Sequence, residues 1–204
     1  MRRFLKPVTF ALCALPLAWL AVRALELGGA GLGANPIDEL QDQLGTWALR
    51  LLLATLCVTP LAVTLRRPWI MGLRRMLGLY AFTYLALHFL TWFVLDQWAD
   101  LADIAADIAK RPYITIGFAA FLLLVPLAVT STRGWMRRLG GRWHRLHRLV
   151  YPAAILGCTH FWWQVKAGWR EPAVYAAVLA VLLGWRAWRA RRRGTAAVAA
   201  VQTG

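Results

Sequence analysis

The chain has 204 residues, 60% of them hydrophobic, with 12 Trp and a mean hydropathy of +0.51. So much apolar surface excludes an ordinary water-soluble domain, and several stretches approach the roughly 20 residues that cross a bilayer. The net charge of +15 invites a nucleic-acid reading, but 18 of the 24 cations form four short patches at alternate ends of the apolar segments, and all nine acids lie in or beside the opposite loops. With no groove-reading motif, this is the positive-inside pattern of a polytopic membrane protein, whose patches also suit anionic membrane lipid; nucleic acid is excluded as a partner.

Six helices are predicted in chain order. The first covers about 8–27 behind Arg2, Arg3 and Lys6, and reads as a span rather than a removed signal peptide, since no good small-residue cleavage site follows it. A loop, GGAGLGANP, leads into acidic Asp38, Glu39 and Asp42. The second helix covers about 46–65 and ends at the basic turn RRPWIMGLRR. The third, about 77–95, and the fourth, about 113–130, flank an acidic helix-prone segment, DQWADLADIAADIAK. An inner loop rich in Arg and Trp leads to the fifth, about 148–165, then the sixth, about 172–188. The small-residue tail over 195–204 is expected to be disordered. The expectation is all-α: a six-span membrane bundle, one domain over 1–194, with both termini cytoplasmic. The loops have no room for a nucleotide fold and carry no G-x-G-x-x-G or P-loop, so the chemistry belongs inside the bundle.

Three of the four histidines fall where water is scarce. An ionisable group in hydrocarbon needs a partner or a task, and neutral imidazole is the commonest axial ligand of haem iron. His88 lies about 17 Å up its helix from the inner end and His160 about 18 Å up its own, at 1.5 Å per residue. Their depths match, and each has small residues on its own face: Ala81 before His88, and Ala153 and Gly157 before His160. A bis-histidine haem fits this coincidence; polar glue between helices and a proton relay are the competing readings. His147, thirteen residues before His160, suits a ligand near the inner surface. On a straight helix the two side chains diverge by about 140°, so Pro152 is expected to bend the segment. The third helix places Arg74 and Arg75, not His, at the matching positions. His144 reads as an interfacial residue. Arg75 and Arg148 are candidate propionate partners toward the inner end, because guanidinium pairs carboxylates in bidentate fashion. Cys13, Cys57 and Cys158 lie in apolar stretches with no CxxCH, so a haem here is non-covalent b-type, one or two per chain. The acids Asp38, Glu39, Asp42, Asp100, Asp103 and Asp107 either steer an outer partner or are solvated loop residues.

The strings RRMLGLYAFTYLALHFLTW, KRPYITIGFAAFLLLVPLAVTS and LGGRWHRLHRLVYPAAILGCTHFWWQVK, with LLLATLCVTPL, closely resemble the MsrQ family. These are haem-binding membrane subunits of bacterial methionine sulfoxide reductase systems, within the ferric-reductase-like transmembrane family. The resemblance implies an inner-membrane, six-helix, b-type haem protein with FMN also associated. It implies electron flow from the quinone pool, or from a cytosolic flavin reductase, outward to MsrP, a periplasmic molybdopterin enzyme that reduces methionine sulfoxide. The family's haem-ligating histidines match His88, His147 and His160. The sulfoxide-reducing site then belongs to the partner, and this chain is an electron-transfer subunit. The wider group has paired histidines on both helices, whereas this chain has one on the third. A reductase acting directly on outer ferric or cupric ions and a haem-free anchor for a periplasmic enzyme are the alternative functions.

Overall fold

The computed structural model describes the backbone of residues 2–27, 31–165 and 168–202 and the side chains of 4–27, 31–165 and 168–192. The regular elements among the described residues are all helical: α1 (Arg2–Ala24), α2 (Pro36–Thr64), a 3-10 turn (Pro68–Leu73), α3 (Arg74–Leu90) running into a π-helical turn (Thr91–Asp96), α4 (Leu101–Lys110), α5 (Pro112–Val129), α6 (Arg133–Leu139), α7 (Gly141–Leu146), a 3-10 turn (His147–Leu149), α8 (Val150–Gln164) and α9 (Arg170–Gln202). Five helical segments are long and apolar enough to cross a membrane: Phe4–Ala24, Pro36–Thr64, Pro68–Asp96, Pro112–Val129 and Arg170–Arg192. The expected fifth span, α8, has 15 residues and falls short of that length.

Local chemistry explains where the boundaries depart from expectation. α2 begins ten residues before position 46 because Asn35 caps it, its side chain accepting from the Asp38 amide. Pro36 fills the first turn, where a missing N–H costs nothing, and Asp38 and Glu39 face the positive end of the helix dipole. Pro152 lies in the first turn of α8, and the departure from α-helical geometry falls earlier, in the 3-10 turn that carries His147. The tail expected to be disordered is helical in backbone as far as Gln202, in keeping with its Ala-rich sequence.

The most extensive packing joins α2 to α3 and α5 to α8, two antiparallel pairs that face each other, with α9 against α8 and α2. Tyr84, Leu56, Leu20, Ala153 and Ala154 are at most about 1% exposed and mark the centre of the bundle. Tyr84 is accommodated by a hydrogen bond from its hydroxyl to the Cys13 carbonyl at 2.8 Å, which fastens α1 to α3. The exposed face of α1, with Phe10, Leu12 and Leu15, is apolar, as a lipid-facing surface requires.

Candidate functional site

His88 on α3 and His160 on α8 meet in the middle of the four-helix core. Their ring centroids are 6.3 Å apart and their planes are inclined by 72°. Both rings are oriented in the same way. His88 Nδ1 lies 2.9 Å from the Gln41 carbonyl of α2, and His160 Nδ1 lies 2.7 Å from the Tyr113 carbonyl of α5. A carbonyl oxygen only accepts, so both rings carry their proton on Nδ1 and keep the lone pair of Nε2. Backbone carbonyls commonly orient metal-binding imidazoles in this way.

Each acceptor carbonyl sits inside a helix, where it already serves the amide four residues on. To reach it from outside, an imidazole must lie where the side chain of that fourth residue would be. Both positions are glycine. A Cβ on Gly45 would fall 3.1 Å from His88 Nδ1 and Cε1. A Cβ on Gly117 would fall 2.7 Å from His160 Nδ1 and 2.9 Å from its Cε1. Gln41, Gly45, Tyr113 and Gly117 are therefore the site residues that the histidine pattern alone does not reveal.

The two halves repeat. In each, the histidine follows its carbonyl partner by 47 residues, and Gln41/Tyr113, Gly45/Gly117 and His88/His160 all share an offset of 72. G-x-x-A-x-x-x-L occurs at 45–52 and again at 117–124, and A-x6-H-F at 81–89 and again at 153–161. A self-comparison of the sequence at that offset exposes the glycines, which read singly are unremarkable positions in apolar helices.

Between the halves lies a cavity of about 840 Å³, within the size range of cofactor sites. Its walls include His88, His160, Gly45, Gly117 and the apolar positions Ala81, Ala153 and Gly157. Phe89 lies on the wall with its ring 4.6 Å from that of Phe121 and nearly parallel to it. Of the other expected ligands, His147 lies apart from this cavity, stacked on Trp143 at 3.8 Å with Nδ1 3.1 Å from the Trp143 carbonyl. Among the described residues its Nε2 is buried and makes no well-aligned hydrogen bond, although the Leu127 backbone also interacts with the ring. His144 is exposed, edge-on to Trp143. Arg75 and Arg148 are exposed and off the cavity wall. Asp38, Glu39 and Asp42 stand at the cavity mouth, whereas Asp100 caps α4 through the Ala102 and Asp103 amides.

Residues 44–158 match the family of the ferric reductase like transmembrane component. A protein-methionine-sulfoxide reductase heme-binding subunit MsrQ from Ralstonia nicotianae (strain ATCC BAA-1114 / GMI1000) is 53% identical over 176 residues, covering 83% of this chain and 81% of that protein. The subunit of the same name from Xanthomonas axonopodis pv. citri (strain 306) is 52% identical over 173 residues, covering 85% and 79%. The chain belongs to the MsrQ family. The ferric-reductase match takes in Gly45, His88, Gly117 and His147 and ends two residues short of His160. The names of these relatives describe them as heme-binding subunits of a protein-methionine-sulfoxide reductase.

Proposed function

We propose that this MsrQ-family chain is a b-type cytochrome that relays electrons across the bacterial inner membrane to the periplasmic molybdopterin enzyme MsrP, which repairs oxidised methionine. The observation that carries the reading is the spacing of the two imidazoles. Metal–nitrogen bonds of about 2 Å on each side, with about 1.1 Å from Nε2 to each ring centre, add to about 6 Å between centroids. The rings stand 6.3 Å apart, with their Nδ1 protons committed elsewhere. The cavity volume and the glycine cradles fit the same group. His88 and His160 would hold the haem between them, and the group would supply one-electron transfer there.

The protein's part is to fix both rings, exclude water and hold the site between two rigid helix pairs. His147 adds a ligand toward the inner side, a reading supported by its buried Nε2. The 72-residue offset pairs it with Arg75 rather than with an imidazole, and Arg75 and Arg148 serve as anionic-group partners there. FMN is a second cofactor, and the quinone pool or a cytosolic flavin reductase is the donor. With its preceding 3-10 turn, α8 completes six spans in a single domain over 1–194. Both termini are then cytoplasmic, and the basic patches lie among anionic headgroups.

A reduced-minus-oxidised absorption spectrum of the purified chain tests the reading: b-type bands are expected. His88→Ala and His160→Ala should each lose the signal of the haem held between them, and full retention in both variants would refute the assignment.

A further inference from the structure

The cavity between His88 and His160 is chemically polarised. Its deep part is walled by Ala81, Leu85, Leu124 and Ala153, aliphatic side chains without a hydrogen-bonding group among them. The mouth, at the end of the bundle where α2, α5 and α9 begin, is polar. There the described lining includes five carboxylates, Asp38, Glu39, Asp42, Asp96 and Glu171, and two cations: Arg111, just before α5, and Arg50, whose guanidinium reaches Glu171 and Tyr175 near the start of α9. A porphyrin is polarised in the same sense, with a hydrocarbon edge opposite an edge that bears two propionates. An unpaired carboxylate in hydrocarbon is costly enough that it changes its environment or its protonation. The propionate edge therefore belongs at the mouth, and the deep aliphatic wall takes the opposite edge.

The duplicated framework does not account for the two arginines. Seventy-two residues from Arg50 stands Leu122, and seventy-two before Arg111 stands Glu39. They break the symmetry of the cradle at the one end where a carboxylate-bearing ligand needs cations. Arg50 reaches across to α9, with Nε 2.7 Å from the Tyr175 hydroxyl and Nη2 3.7 Å from Glu171 Oε1, and its guanidinium lies over the Trp47 ring. Arg111 sets Nε 3.3 Å from Asp107 Oδ1, and the Tyr113 hydroxyl, then Asp107, push its pKa above the usual arginine value. In both, the ion-pair geometry with the protein carboxylate is loose and uses one edge of a fork built for bidentate capture. We infer that Arg50 and Arg111 anchor the two propionates of the haem held by His88 and His160, with its propionate edge directed to the cavity mouth.

This inference rests on the proposed haem reading, and its test separates the two. Arg50→Gln and Arg111→Gln are compared with the unaltered chain by resonance Raman spectroscopy of the propionate bending bands and by redox titration of the haem that His88→Ala removes. Both variants should shift a propionate band and lower the midpoint potential, because a cation beside the propionates disfavours the more positive ferric state. Arg50→Lys should restore the potential in part. Tyr175→Phe and Glu171→Gln cut the tie from α2 to α9 but leave the guanidinium, so they should leave the propionate bands in place. Arg142→Gln, at an exposed residue off the cavity wall, should leave this haem's potential unchanged. Unchanged bands in Arg50→Gln and Arg111→Gln with normal haem content overturn the inference and spare the haem reading. Equal shifts in Tyr175→Phe and Arg50→Gln also overturn it, since the effect is then one of helix packing. Absence of any b-type haem from the unaltered chain sinks both.

Discussion

Replacing the two cradle glycines by alanine gives the most direct test of how the histidines are held, because the structure ranks the two outcomes. An alanine Cβ at position 117 would stand 2.7 Å from His160 Nδ1, 2.9 Å from Cε1 and 3.1 Å from Cγ. An ordinary contact needs about 3.5 Å, so the ring must retreat by about 0.8 Å. The Nδ1–Tyr113 carbonyl bond, now 2.7 Å, then stretches to about the limit of a useful hydrogen bond. The loss combines a hydrogen bond of about 1 kcal/mol with overpacking of about 1–3 kcal/mol. At position 45 the same Cβ meets His88 at 3.1 Å, and a retreat of about 0.4 Å suffices, which leaves the bond to Gln41 strained but intact. Gly117→Ala should therefore lower haem affinity by about the 10–100-fold typical of lost ligand support, and with it haem content per chain, and Gly45→Ala by less. Any haem kept by Gly117→Ala should have a raised midpoint potential, because an imidazole that no longer donates from Nδ1 gives less electron density to ferric iron. Gly78→Ala is the control: its Cβ meets Thr55 Cγ2 at 3.6 Å, an ordinary contact, so it should be tolerated or slightly stabilising. Haem-to-protein ratio and redox titration of the detergent-purified variants decide the matter. Equal haem content and potential in Gly117→Ala and the unaltered protein would refute the cradle argument.

Other outcomes follow from single contacts. Pro60 has no N–H to offer the Leu56 carbonyl four residues before it, and Arg186 Nη2 of α9 fills the gap at 2.5 Å. Arg186→Met should cost about 1–3 kcal/mol in thermal unfolding, and adding Pro60→Ala should recover much of it; no recovery would break the link. Tyr84→Phe removes the buried bond to Cys13 and should cost about 1 kcal/mol with haem content unchanged, read by melting temperature and by absorption. His147→Ala should leave the spectrum of the haem between His88 and His160 intact while lowering haem stoichiometry, measured by pyridine haemochrome. Charge reversal of Asp38, Glu39 and Asp42 at the cavity mouth should slow electron transfer to the periplasmic partner most at low ionic strength, followed by stopped-flow oxidation of the reduced cytochrome.

The helical membrane class was legible because hydropathy needs no partner: each apolar stretch declares itself. The start of α2 was not, because the polar run around Asp38, Glu39 and Asp42 resembles a loop until the Asn35 cap and Pro36 are weighed. That misplacement hid one of the two cradles, since Gln41 and Gly45 lie in the overlooked turns. The histidines at 88 and 160 could be read from depth, and the structure brings them together. Their acceptors could not be read one by one, since any residue type supplies a carbonyl, and only the repeat at 72 residues singles out these two. The shortness of α8 escaped notice for the opposite reason: the Arg- and His-rich approach to it is helical too, but broken by a 3-10 turn that pattern alone does not register.

The duplicated cradle also determines what the cofactor must do for the fold. Each imidazole is tied within its own helix pair, His88 to α2 and His160 to α5, and no hydrogen bond of this set crosses between the pairs. The orientation of each ring is thus a property of one pair, while the distance between rings is a property of how the pairs dock. A group bound to both rings spans that docking surface, so its binding free energy is added to the association of the halves. Cofactor loading and bundle stability are therefore coupled, although the ring orientations are already built into each half.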